Sequence, residues 1–180
     1  MLSWLVSRII PYDAEYSSTD GKYFSCNGDI FWTKNGKLHR EDGPAFISFC
    51  MTGYYINGNL HREDGPAKIY TEPHGKLKKM EWYINGEPHR EYGPALIDEI
   101  SGFEVWMQYG KAHRIDGPAF IDYTGEFRHV FKTGHADWYI NDHDITDEIH
   151  KWAKDRDIDL NNLTEMDKMI ISMEWGNYGK

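Results

Sequence analysis

Apolar positions in this chain recur in fixed relation to turn residues, and long apolar runs are absent from its centre. Four stretches align: WTKNGKLHREDGPA from Trp32 to Ala45, YYINGNLHREDGPA from Tyr54 to Ala67, WYINGEPHREYGPA from Trp82 to Ala95 and WMQYGKAHRIDGPA from Trp106 to Ala119. A fifth begins at Trp138-Tyr-Ile-Asn-Asp and is then diverted. Aromatic-x-Ile reads as a short alternating strand. Asn-Gly is the strongest two-residue hairpin signal, because both positions tolerate positive φ. Asp-Gly-Pro marks a second tight turn, and Pro-Ala-x-Ile opens a second strand. Gly-containing pairs such as Thr52-Gly53, His74-Gly75, Ser101-Gly102 and Thr124-Gly125 return the chain to the next aromatic. The pattern predicts two strands per unit in an elongated antiparallel meander, each unit packing on its neighbours.

The ends read differently. Residues 1–30 are expected to form an N-terminal cap and a degenerate hairpin, residues 31–143 the repeat sheet, and residues 144–180 a helical cap. The first ten residues are apolar but short, and Arg8 interrupts them, so neither a signal peptide nor a membrane span is expected. Downstream, Thr146 reads as an N-cap, with Ile149, Trp152 and Ala153 on one helical face. A second start at Thr164 precedes Met166, Met169, Ile170 and Met173 at helical spacing. The simplest destination for both apolar stripes is the last edge of the sheet; the Met-rich helix could instead receive a partner.

Composition narrows the classes. Aromatics make up 15% of the 180 residues and hydrophobics 40%, which suits a thin, aromatic-rich sheet. The net charge of -9 argues against nucleic acid and anionic membrane, and permits a basic protein partner. Cys26 and Cys50 form no CxxC pair, so two reduced thiols in a cytoplasmic protein are expected. Motifs of serine hydrolases, zincins, P-loop and dinucleotide-binding proteins are absent, which argues against an enzyme.

The pattern Asn-Gly-x-x-His-Arg-x-Asp-Gly-Pro-Ala resembles a divergent MORN-type repeat over about residues 31 to 143. It departs from that pattern where Arg follows His and Pro-Ala follows the last glycine. This version is similar to repeats in uncharacterised proteins of bacteriophages and giant viruses. The resemblance implies a scaffold or interaction module without catalytic residues.

The candidate binding residues are the recurring pairs His39-Arg40, His61-Arg62, His89-Arg90 and His113-Arg114, with Trp82 and Trp106. As a ligand ladder they would offer guanidinium forks and imidazoles to phosphate or carboxylate. As structure, Arg would pair with Asp42, Asp64 or Asp116 and His would bond a turn carbonyl. The recurrence of one turn, and the survival of His89, Arg90 and Gly93 where Tyr92 replaces Asp, favour the structural reading. No metal site or cofactor is expected, since the ladder spreads its histidines and His129, His135, His143 and His150 match no ligand spacing. The expectation is a non-enzymatic binding protein that inhibits or redirects a host protein in the host cytoplasm, in counter-defence if it is a phage protein. A sponge for an anionic small molecule such as a nucleotide signal is the alternative, and a virion component a more distant one. Self-association into a homo-oligomer stays open.

Overall fold

A computed structural model describes residues 20–25, 27–72, 77–124 and 136–178. The expected N-terminal cap segment, Cys26, the His74-Gly75 turn, Gly125, His129 and His135 lie outside the described residues. The chain divides into two compact units, Met1–Glu87 and Pro88–Lys180.

In the first unit the strands Gly21–Phe24, Ile30–Lys34, Phe46–Ile47, Met51–Gly53, Lys68–Thr71 and Leu77–Glu81 are hydrogen-bonded in chain order, each antiparallel to the next. In the second, Leu96–Asp98, Phe103–Val105, Phe120–Asp122 and Ala136–Asp137 do the same. The fold is mainly β, an antiparallel meander of hairpin repeats followed by two helices, as the alternation predicts.

The repeat is more finely divided than two strands. In the second repeat the chain leaves the sheet at Tyr54 and forms a separate hairpin, Tyr55–Ile56 with Asn59–Leu60. Met107–Gln108 with Lys111–Ala112 and Tyr139–Ile140 with His143–Asp144 are equivalent. The aromatic is the transfer point. Its N–H donates to the carbonyl of the alanine ending its own repeat (Tyr54 to Ala67, 2.7 Å; Trp106 to Ala119, 2.7 Å), and its carbonyl accepts from the following His (His61, 3.0 Å; His113, 3.0 Å). Two residues with positive φ close each hairpin, such as Asn57 at 52° and Gly58 at 87°, which is the turn Asn-Gly signals. The second strand of each repeat starts after Pro-Ala, not at Pro.

The alanines sit at the tightest points: Ala45, Ala67, Ala95 and Ala119 are 0–1% exposed. In the first unit Phe31, Leu38, Ala45 and Tyr55 form the buried cluster. In the second, the last hairpin contributes Trp138 and Ile140, helix α1 (Thr146–Arg156) adds Ile149, Trp152 and Ala153, and helix α2 (Glu165–Trp175) adds Ile171 and Trp175. Each such fully buried side chain contributes about 1.5–3 kcal/mol, so this block fixes both helices in place.

Two local expectations are corrected. Thr146 is the first residue of α1, not its cap, because its hydroxyl accepts the Trp138 N–H at 3.0 Å while Asp144 accepts the Thr146 N–H at 2.9 Å. Thr164 does cap α2, in a reciprocal box with Asp167, but the buried face of α2 is Ile171 and Trp175 instead of the methionines. Met166, Met169 and Met173 are 64%, 54% and 73% exposed.

Candidate functional site

Each arginine of the ladder folds back over its own repeat. Arg62 donates from Nε to Asp64 (2.7 Å) and from its terminal nitrogen to the Pro66 carbonyl (3.3 Å), and its guanidinium lies 4.0 Å above the Tyr54 ring. Arg40 and Arg114 repeat this on Asp42, Pro44 and Trp32, and on Asp116, Pro118 and Trp106. The guanidinium occupies the space that a side chain on the next glycine would need. A Cβ on Gly65 would stand 3.1 Å from the Arg62 guanidinium carbon, and one on Gly117 2.7 Å from that of Arg114. The glycine of His-Arg-x-Asp-Gly thus leaves the space in which the guanidinium lies close to the turn. In the third repeat Arg90 keeps its bond to the Pro94 carbonyl at 3.2 Å although Tyr92 has taken the Asp position and points to solvent. Burial lowers the basicity of Arg90, and Glu104 opposes that.

The histidines join one repeat to the next, and the bond differs from the turn carbonyl expected. Nδ1 accepts a backbone N–H from the hairpin tip of the following repeat: Asn57 to His39 and Asn85 to His61 at 3.1 Å in the first unit, Tyr109 to His89 at 3.1 Å and Asn141 to His113 at 3.3 Å in the second. In the first repeat the other ring nitrogen, Nε2, lies 3.2 Å from the Glu41 carboxylate. Two backbone bonds flank each histidine link. In the first pair of repeats, Gly58 donates to the Leu38 carbonyl (2.8 Å) and Arg40 to the Tyr55 carbonyl (3.0 Å). The same pair recurs at Gly86–Leu60, Arg62–Tyr83, Gly110–Pro88 and Arg90–Met107. The eight candidate side chains are thus half-buried turn locks and splices. Trp106 is half-buried under Arg114, and Trp82 is half-buried where its repeat passes from strand to hairpin.

A shallow groove separates successive Asp-Gly-Pro turns. In the first unit it encloses about 510 Å³ between Arg40–Pro44 and His61–Asp64, floored by Tyr54 and Ile56. In the second, equivalent positions give about 460 Å³ lined by Glu91–Gly93, Trp106, Gln108 and His113–Asp116. The first groove carries Glu41, Asp42, Glu63 and Asp64 on its rims. Hydrogen bonds and the adjacent charge from Arg40 and Arg62 hold the Asp42 and Asp64 carboxyls below the usual range. The first groove thus sets four carboxylates against two arginines that are already engaged on their own turns.

No family model, curated protein or solved structure matches this chain. Among the described residues no group of three or more His, Cys, Asp and Glu is arranged to hold a metal ion, and no helix is long and apolar enough to cross a membrane. Cys50 is a free, exposed thiol. An apolar feature left outward is the stripe Met166, Met169 and Met173 of α2. Its helix register was legible in sequence; its exposure was not, because Ile171 and Trp175 compete for the inward face.

Proposed function

We propose that this chain is a non-enzymatic protein-interaction module whose repeat sheet is a scaffold and whose α2 methionine face receives the partner. The observation that carries the reading is the pairing of a fixed helix with an exposed apolar stripe. Ile171 and Trp175 anchor α2, while Met166, Met169 and Met173 lie outward at i, i+3 and i+7. That spacing is how helix faces are read by partners, and unbranched thioether side chains repack readily around them. The resemblance to MORN-type repeats of bacteriophage and giant-virus proteins extends the reading: the partner is a host protein, which the module inhibits or redirects in the host cytoplasm.

The rival, a sponge for an anionic nucleotide, draws on the arginine ladder. It is weakened by the internal hydrogen bonds of Arg40, Arg62 and Arg114 and by the acidic rims of the first groove. The test is affinity capture from bacterial host lysate with the wild-type chain and a M166Q/M169Q/M173Q variant. A stoichiometric protein retained by the first and lost by the second is expected. Capture of no stoichiometric protein, or equal capture by both, refutes the assignment of this face.

A further inference from the structure

Each hairpin tip is tied to the chain before it through one backbone N–H, and the acceptor of that N–H is not the same group throughout. At the first tip Asp20 Oδ1 accepts the Asn35 N–H at 2.6 Å. At the later tips the acceptor is the Nδ1 of His39, His61, His89 or His113. A carboxylate remains an acceptor down to about pH 4. An imidazole that takes up a proton carries N–H on both nitrogens and accepts at neither. We infer that the His89–Tyr109 junction of the second unit is an acid-labile joint. Mild acid turns its Nδ1 from acceptor to donor and releases the hairpin tip, while the carboxylate junction at Asp20 holds.

The groups facing each imidazole single out this joint. His39 Nε2 lies 3.2 Å from Glu41, which also meets Lys34 at 3.8 Å, and its Nδ1 lies 3.0 Å from Asn57 Oδ1. A protonated His39 therefore finds an acceptor at each nitrogen. His61 has the Glu63 carboxylate at 3.9 Å, and His113 shares its surroundings with Lys111, Arg114 and Asp116. His89 forms no ion pair among the described residues. Its charged neighbours in sequence are Glu87, Arg90 and Glu91, and from the following hairpin it meets Tyr109, whose N–H is 3.1 Å from Nδ1 and whose ring centroid is 4.2 Å away. The ring contact does not replace the bond. Tyr109 holds φ 48°, a left-handed conformation disfavoured for a residue with a Cβ, so the tip relaxes once its N–H is released. The base of the hairpin stays tied, because Gly110 donates to the Pro88 carbonyl at 2.9 Å and Arg90 to the Met107 carbonyl at 3.1 Å. Opening is local to the tip.

The experiment follows the Tyr109 amide and the His89 ring by NMR in the full chain, from about pH 7.5 to about pH 5, the range in which imidazole titrates. The Tyr109 amide proton is expected to move upfield in step with protonation of the His89 ring. In His89→Asn the side-chain oxygen takes over as an acceptor that does not titrate in this range, so the Tyr109 amide should stay in place. Thermal unfolding supplies a second readout. Acid reduces the net charge of -9 and with it the general self-repulsion, so charge alone gives no reason for Tm to fall. Between the two pH values the wild type should lose about 2–4 °C more than H89N, the shift expected for one hydrogen bond in a chain of this size. A Tyr109 amide that stays fixed while the His89 ring titrates overturns the inference, and so does an equal pH dependence of Tm in the two proteins. Should H89N fail to fold, the amide titration of the wild type decides alone.

Discussion

Gly117→Ala isolates the contact between the ladder arginine and the glycine after it. The backbone of Gly117 does not need positive φ, so alanine is conformationally acceptable there. The obstacle is Arg114: an added Cβ would stand 2.7 Å from the guanidinium carbon and 2.9 Å from Nε. The guanidinium must move, and in moving it loses its bond to the Pro118 carbonyl and its place 3.8 Å over Trp106. A part-buried hydrogen bond contributes about 1 kcal/mol and a cation–π contact about 0.5–1 kcal/mol. The ion pair with half-exposed Asp116 adds little. G117A should therefore cost about 1.5–2 kcal/mol in denaturant unfolding followed by tryptophan fluorescence. Arg114→Ala removes the obstacle along with the contacts. In the R114A background G117A should cost less than about 0.5 kcal/mol, a coupling of more than about 1 kcal/mol. Gly65, with its virtual Cβ 3.1 Å from the Arg62 carbon, should tolerate alanine better than Gly117. Additive costs in the double mutant would refute the claim that these glycines exist to make room for arginine.

Ala67→Val adds volume at a site with 0% exposure and should cost about 1–3 kcal/mol, read as a lowered Tm; an unchanged Tm would mean the repeat junction can relax. Tyr109 holds φ 48° at the position Asn occupies in the other repeats, so Tyr109→Asn should stabilise by about 0.5–1 kcal/mol despite losing its ring contact with His89. The phenol of Tyr83 is pushed up to about 12 by burial and then by the neighbouring Glu81 carboxylate. Its folded value lies above the unfolded one, so the stability it confers is complete below about pH 10 and is lost as pH rises towards 12. Phenolate absorbance should include a late-titrating group that Tyr83→Phe deletes.

Much of the fold was legible because each repeat states its turns in residues with few other uses. Asn-Gly gave the hairpin tips, and Gly-Pro-Ala gave the return to the sheet. Arg40, Arg62 and Arg114 pair with the aspartate two residues on, as their spacing allowed. Three features were not legible, each because it depends on a distant partner. The split at Tyr54 and Trp106 follows from bonds to Ala67 and Ala119, thirteen residues away in sequence. The histidine acceptors reach a turn that a single repeat does not contain. On α2, Met166, Met169, Ile170 and Met173 look equivalent in sequence until the buried Ile171 and Trp175 decide which face is inward.

These bonds bear on where function can reside. A residue repeated four times in one chain invites a functional reading, yet here repetition tracks the need to splice one hairpin to the next. His39 and Asn57, or His89 and Tyr109, are bound because every junction requires an acceptor for the tip N–H. Each histidine of the ladder already accepts a tip N–H at Nδ1, and Arg40, Arg62 and Arg114 are bonded within their own turns. Met166, Met169 and Met173 are exposed while Ile171 and Trp175 are buried in the core, which is why the proposed partner face is placed there and not on the ladder.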